Sequence, residues 1–456
     1  VSDSTPPDSP KPNSPAHVGN EPLASAAFTA RVDNGSPAGG APGARPAPAS
    51  SPTSRPSLAS LPHWAAVLGV WAATSALSLL ILRLGAQDTG PTVWAPASPS
   101  WMQHASFWDS GWYERIVREG YPTQLPTDAN GTVQQNAWAF MPLLPLLARA
   151  LAWTGWSFYA CATIVSLVAS ALAAQVMDRW LAPRVGAAAS LWAVALVWGS
   201  PCAVVLQLPY AESLGLLAVA LALLLAERGR FLAAAPAVVA AAFARPLGVP
   251  LTAALGLWWL WETACARRST TTPSAGGALE LSGAGNAPLG PSARRGLLAL
   301  SGVAAASALA WPLLAWAVTG RADAYTATET SWRGGELTPL LPWLTRSGWW
   351  VGDHLGPLLL AGFVMVGALA LSAPSLRRLG RPAWLWCVGY CLYLLVFFDP
   401  TTSVLRLLLP LAPAGWALAA RTTPRVRATL LALGMVGQVF WVSWVWDGFG
   451  AITWVP

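Results

Sequence analysis

Seven consecutive residues, Phe107-Trp108-Asp109-Ser110-Gly111-Trp112-Tyr113, set one acidic side chain among aromatic rings, directly before a helical pattern. Trp108, Trp112 and Ile116 recur at helical spacing, with Glu114, Arg115, Arg118 and Glu119 on another arc. That arrangement predicts a short amphipathic helix lying in a membrane interface. Gly120-Tyr121-Pro122 ends it, since proline cannot continue a helix. Asp109 therefore stands at a helix start, and two readings are open. Its side chain can cap free backbone N–H groups. Alternatively, a carboxylate favoured by the positive end of the helix dipole can serve as a general base.

Three further charges fall where charges are costly. Pro209-Tyr210-Ala211-Glu212-Ser213 puts Glu212 at the start of an apolar segment, where it either offsets the dipole or faces a functional interior. Phe243-Ala244-Arg245-Pro246-Leu247-Gly248 makes a tight turn, and Arg245 in it either snorkels to lipid headgroups or offers its fork of donors to a phosphate. Asp399-Pro400-Thr401-Thr402-Ser403-Val404-Leu405-Arg406 places Arg406 in the first turns of an apolar segment, so it needs an anionic partner, either Asp399 or a ligand phosphate. His104 and His354 are isolated from each other, form no metal pattern and are expected at the surface of loops. Cys161, Cys202, Cys265, Cys387 and Cys391 sit in or beside apolar segments, with no metal or disulfide spacing.

The elements that must position these groups are membrane helices. Only 10% of the 456 residues are charged and 54% are hydrophobic, against about 25% charged in an ordinary soluble domain. Residues 1–60, rich in Pro, Ser, Ala and Gly, are expected to be a disordered cytoplasmic tail, and no cleavable signal peptide is expected ahead of the first apolar segment. Residues 61–456 form the expected membrane domain, interrupted by a flexible loop over 267–294. About eleven spans are predicted, near 64–84, 157–177, 186–201, 208–226, 231–244, 247–264, 297–318, 356–373, 383–398, 404–420 and 428–446.

A cytoplasmic N-terminus then puts six Arg clusters, among them Arg228 with Arg230 and Arg377 with Arg378, on the inner side. The net charge of +7 reports those loops and not a nucleic-acid surface. Two long connections, about 85–156 and 320–355, face outside. Long structured loops beside a bundle point to function there. Within the first, Ala137-Trp138-Ala139-Phe140-Met141-Pro142-Leu143-Leu144-Pro145-Leu146-Leu147 reads as a second, proline-punctuated interfacial or re-entrant segment. The Ala-, Arg-, Gly- and Pro-rich coding suggests a GC-rich bacterial genome, and so a bacterial cell membrane.

These motifs, in this order, resemble the GPI mannosyltransferase 2 (PIG-V) family, bacterial members above all, within the GT-C class of lipid-sugar-dependent glycosyltransferases. The resemblance is carried by residues 107–113 with Gly120-Tyr121-Pro122, by 139–146, by 209–213 and by 244–248. It runs from about residue 60 onward. The chain departs from the family at Trp112 and at Arg406-Leu407, where the family often has another aromatic and Arg-Tyr.

The resemblance implies an all-α GT-C multi-span bundle, a polyprenyl-phosphate sugar donor, most simply of mannose, and an acidic catalytic residue, for which Asp109 is in position. Arg406 and Arg245 are the candidates for the donor phosphate. Trp108, Trp112, Tyr113, Tyr210 and Glu212 are the expected substrate contacts. The expected reaction is inverting transfer on the extracytoplasmic face to a hydroxyl of a glycan, glycolipid or protein. No cofactor and no metal enter this scheme, since the arginines can neutralise the leaving phosphate. A lipid-sugar flippase or transporter is the main alternative. It is expected to carry midplane charges in repeated, broken helices, which are not evident here. A non-catalytic scaffold of the same fold is the other.

Overall fold

The computed structural model describes residues 61–271, 289–332 and 338–448. The tail expected over residues 1–60 lies outside them, as does most of the loop expected over 267–294. The helix Gly248–Thr271 runs into it from one side, and the helix starting at Pro291 begins before its end.

Every predicted apolar segment is helical, and no strand occurs among the described residues; a single Thr127–Val133 bridge is the only extended pairing. Four helices are long and apolar enough to cross a bilayer: His63–Asp88, Phe158–Val185, Pro291–Thr319 and Pro424–Trp446. Two bent pairs raise the number to six if each is one span. They are Leu341–Val351 with Gly356–Ser372, bent by 118°, and Val404–Leu411 with Pro413–Arg421, bent by 73°. By length and composition alone, four to six of the eleven expected crossings stand out. The helices Ala187–Trp198, Phe231–Ala244 and Arg381–Phe397 are apolar but fall below the roughly 20 residues a straight crossing needs.

The outer surface is greasy. In Gly356–Ser372 only Gly356 is buried, while Leu358, Val366 and Leu369 are more than half exposed. Leu433, Val436 and Phe440 do the same for the last long helix. Apolar faces on this scale ask for hydrocarbon as their surroundings, and the chain is a multi-span membrane protein. Inside, small residues bring the helices close. A Cβ on Gly434 would run into the Gly199 carbonyl oxygen. Buried polar groups link the helices as well. Trp71 and Trp198 both donate to Ser170 Oγ (3.0 and 2.8 Å), and Trp416 donates to Ser190 Oγ (2.8 Å), which donates to Asp178 (2.6 Å). Such bonds between helices are favoured where no water competes.

Helix ends assigned to one side of the membrane meet in space. Arg184 pairs with Glu227, and Arg381 pairs with Glu262, whose other oxygen accepts from the Leu289 N–H (2.9 Å). These are the ends next to the Arg-rich connections. The opposite ends carry the two long connections, which are folded onto each other. Asn136 Nδ2 donates to Thr328 Oγ1 (2.9 Å), and Trp311 donates to the Trp138 carbonyl (3.0 Å). The first connection contains the short helices Trp101–Ala105, Ser110–Glu119 and Leu143–Ala150, and the second contains Ala324–Thr330 and Leu341–Val351.

Candidate functional site

The expected amphipathic helix spans Ser110–Glu119, with Tyr113 and Ile116 buried. Trp108 lies just outside it. Its φ of 62° is in the left-handed region, costly for a bulky residue, and its surroundings hold it there. The indole N–H donates to the Trp446 carbonyl (2.7 Å), and the ring packs on Trp94 at 4.3 Å. Beyond it, the Tyr210 hydroxyl donates to the Phe107 carbonyl (2.8 Å) and accepts from the Asp109 N–H (3.0 Å). The turn carrying Asp109 is thus pinned from two sides.

Asp109 makes no side-chain capping bond, and its backbone is itself helical. The carboxylate reaches away from the helix and accepts from Arg406 Nη1 at 2.7 Å, across 297 positions of sequence. Arg406 Nε lies 3.3 Å from Glu212 Oε1, the oxygen that also accepts from Arg245. Four charges from four parts of the chain therefore form one chain of contacts: Asp109, Arg406, Glu212, Arg245. The side chains are 4–16% exposed, so the mutual cancellation of charge matters: an unmatched charge at that depth is strongly destabilising. Glu212 Oε2 and Arg406 Nε are buried without a hydrogen bond. Arg406 also lies over the Tyr210 ring at 5.5 Å.

The partner of Arg406 is thus Asp109 and Glu212, and not Asp399. Asp399 is occupied by Arg346, whose Nε and Nη2 donate to its two oxygens (2.7 and 2.6 Å). His104 corrects a second expectation: it is fully buried, because the first connection folds back beneath the bundle end. Its Nδ1 faces the Leu82 carbonyl (3.1 Å) and its Nε2 contacts Asp447. His354 is exposed, as expected.

A cavity of about 320 Å³ opens at this network, within the range of ligand sites. Asp109, Tyr113, Arg245 and Arg406 line it, as do Phe140 and Met141 of the second interfacial segment. The other four expected substrate contacts stand behind its wall. Trp108 and Tyr210 shape the Asp109 turn, and Glu212 backs the two arginines. Trp112 stacks on Phe140 at 5.6 Å and meets Trp332 edge-on. Burial raises the Tyr113 phenol well above its ordinary range, with Arg245 opposing, so this side chain enters the cavity as a neutral donor.

The sequence reading missed the residues the second connection brings: Arg346, Glu329 and Trp332, together with Tyr390 and Tyr393 of Arg381–Phe397. Their signal was faint. Tyr390, Tyr393 and Phe397 do share one helix face by spacing, and their rings follow one another at 5.9 and 5.6 Å.

No family model and no curated protein matches the sequence. Among solved structures the chain is similar to ArnT from Cupriavidus metallidurans bound to undecaprenyl phosphate, with 14% identity and a TM-score of 0.45. The likeness covers 79% of this chain and 62% of that one, so the chain spans less than two thirds of the length of ArnT.

Proposed function

We propose that the chain is an inverting glycosyltransferase of the GT-C class that moves a sugar from a polyprenyl-phosphate donor to an acceptor hydroxyl. Mannose and the extracytoplasmic face complete the proposal: mannose comes from the PIG-V resemblance, and the side from the pattern of Arg-rich connections. The observation that carries the reading is the meeting of Asp109 with Arg406 at the wall of one cavity, with Arg245 beside them. A carboxylate and two guanidinium groups at one site are what glycosyl transfer from a phosphate needs.

In this reading the acceptor hydroxyl gives its proton to Asp109 while its oxygen attacks the anomeric carbon. The bond from that carbon to the phosphate oxygen breaks on the opposite face, and its electron pair stays on the phosphate. Arg406 and Arg245 hold that charge. Before donor arrives, Arg406 is engaged by Asp109 itself. A donor phosphate therefore takes over the guanidinium and releases the carboxylate. The carboxylate so released faces the acceptor hydroxyl and takes its proton. Donor binding so precedes activation of the acceptor.

The test is transfer by purified, reconstituted protein from radiolabelled polyprenyl-phosphate mannose to a membrane glycan fraction. Asp109→Asn is expected to lower the rate by about 10²–10⁴-fold, the usual contribution of a general base. Wild-type transfer by a correctly folded Asp109→Asn protein overturns the mechanism. Lipid translocation without any transfer supports a flippase instead.

A further inference from the structure

The cavity holds a second ion pair that the chemistry above does not use. Arg346, from the helix Leu341–Val351, makes a two-bond fork with Asp399. Both side chains are mostly buried, 15% and 7% exposed, and the guanidinium lies over the Trp349 ring at 3.8 Å. Thr401 and Ser403, on the turn that follows Asp399, line the same cavity with hydroxyls 3.1 Å apart. Tyr393 and Phe397 add ring faces to it.

The chemistry of this wall is specific. The pair is joined by two bonds and has no net charge. An anionic ligand approaching Arg346 meets Asp399, and a cationic one approaching Asp399 meets Arg346. Each Asp399 oxygen receives one of the two fork bonds and has lone-pair capacity beyond it. An uncharged hydroxyl, which both donates and accepts, suits such a surface. Flat aromatic faces beside it suit the C–H face of a sugar ring, which is apolar. Arg406, in contrast, gives Asp109 a single hydrogen bond and keeps further donors for a phosphate.

We propose that Arg346, Asp399, Thr401 and Ser403, with the Tyr393 and Phe397 rings, seat an uncharged acceptor sugar and present one of its hydroxyls to Asp109. The assignment to acceptor rests on the transferase reading above; the affinity for a neutral sugar ring does not.

Two measurements on the full, reconstituted chain test it. In transfer assays, Asp399→Asn and Arg346→Gln are expected to raise the acceptor KM by about tenfold, as for loss of a hydrogen bond to a charged group, with the donor KM unchanged. Thr401→Val, which leaves the ion pair intact and guards against misfolding, is expected to raise it by about threefold, as for a neutral bond. A donor KM that rises instead overturns the assignment to acceptor, and KM values that stay put overturn the seat. The second measurement needs no turnover. Saturation-transfer NMR is expected to detect methyl α-mannopyranoside on the wild type, to lose it with Asp399→Asn, and to detect no methyl glucuronide. No signal from the neutral sugar on the wild type overturns the seat. That signal without any glycosyl transfer keeps the seat and removes the transferase reading.

Discussion

A carboxylate at a helix start ordinarily turns back to the free N–H groups of its own first turn. Asp109 instead spends its oxygens on Arg406, and this makes separable expectations for stability and rate. Arg406→Gln leaves Asp109 buried without its cation, which is expected to destabilise the fold by about 3–5 kcal/mol. Asp109→Asn with Arg406→Gln removes both charges of that contact, so the double variant is expected to melt above the Arg406 single variant while remaining inactive. Thermal unfolding in detergent, followed by intrinsic tryptophan fluorescence, reads this directly. Equal melting of single and double variants would contradict the pairing. Tyr113 carries a different expectation. Burial raises its phenol, so the neutral form persists as pH rises through the ordinary tyrosine range and contributes no basic limb. Tyr113→Phe should then leave the shape of the pH–rate profile unchanged, even if the rate falls. At this scale the sequence was informative about type and silent about distance. Asp109, Arg245 and Arg406 stood out because charges in apolar surroundings are costly wherever they fall. Asp399 and Arg346 stand 53 positions apart, and no local pattern encodes their pairing.

Helices were legible for a physical reason: apolar residues in a lipid-facing or buried helix must dominate, and Gly and Pro punctuate their ends. Their lengths in the membrane were not, because a short buried helix and a crossing one share a composition. The break at Ala412 shows what that blurs. Val404–Leu411 and Pro413–Arg421 read as one span near 404–420, yet they bend by 73° between Pro410 and Pro413. The bend leaves Arg406 on a short segment held by the bond from the Tyr390 hydroxyl to the Leu407 carbonyl (2.7 Å). Tyr390→Phe is expected to loosen that segment by about 1 kcal/mol and to lower kcat with insertion unaffected. Close helix approach supplies another expectation. Gly434→Ala drives a methyl group into the Gly199 carbonyl, and overpacking of this kind costs about 1–3 kcal/mol, visible as a lowered melting point.

Across the whole chain, the helix ends adjoining the Arg-rich connections collect the Arg184–Glu227 and Arg381–Glu262 pairs, while the two long connections come together over the cavity. An extracytoplasmic cavity then predicts accessibility: Asn130→Cys, in an exposed part of the first connection, should react with a membrane-impermeant maleimide on intact cells, and Gly229→Cys only after lysis. The reverse pattern would invert the topology. The four-charge network also spans the molecule, since its members come from the first connection, from the start of Glu212–Glu227, from the turn after Ala244 and from Val404–Leu407. Its two acids and two cations cancel in pairs, Asp109 with Arg406 and Glu212 with Arg245. A lineage that loses one member is left with an unmatched buried charge until an oppositely charged member changes too, so an acid and a cation should be inherited together or abandoned together, and their joint variation among descendants of this chain would record the contact long after the sequences around it had drifted apart.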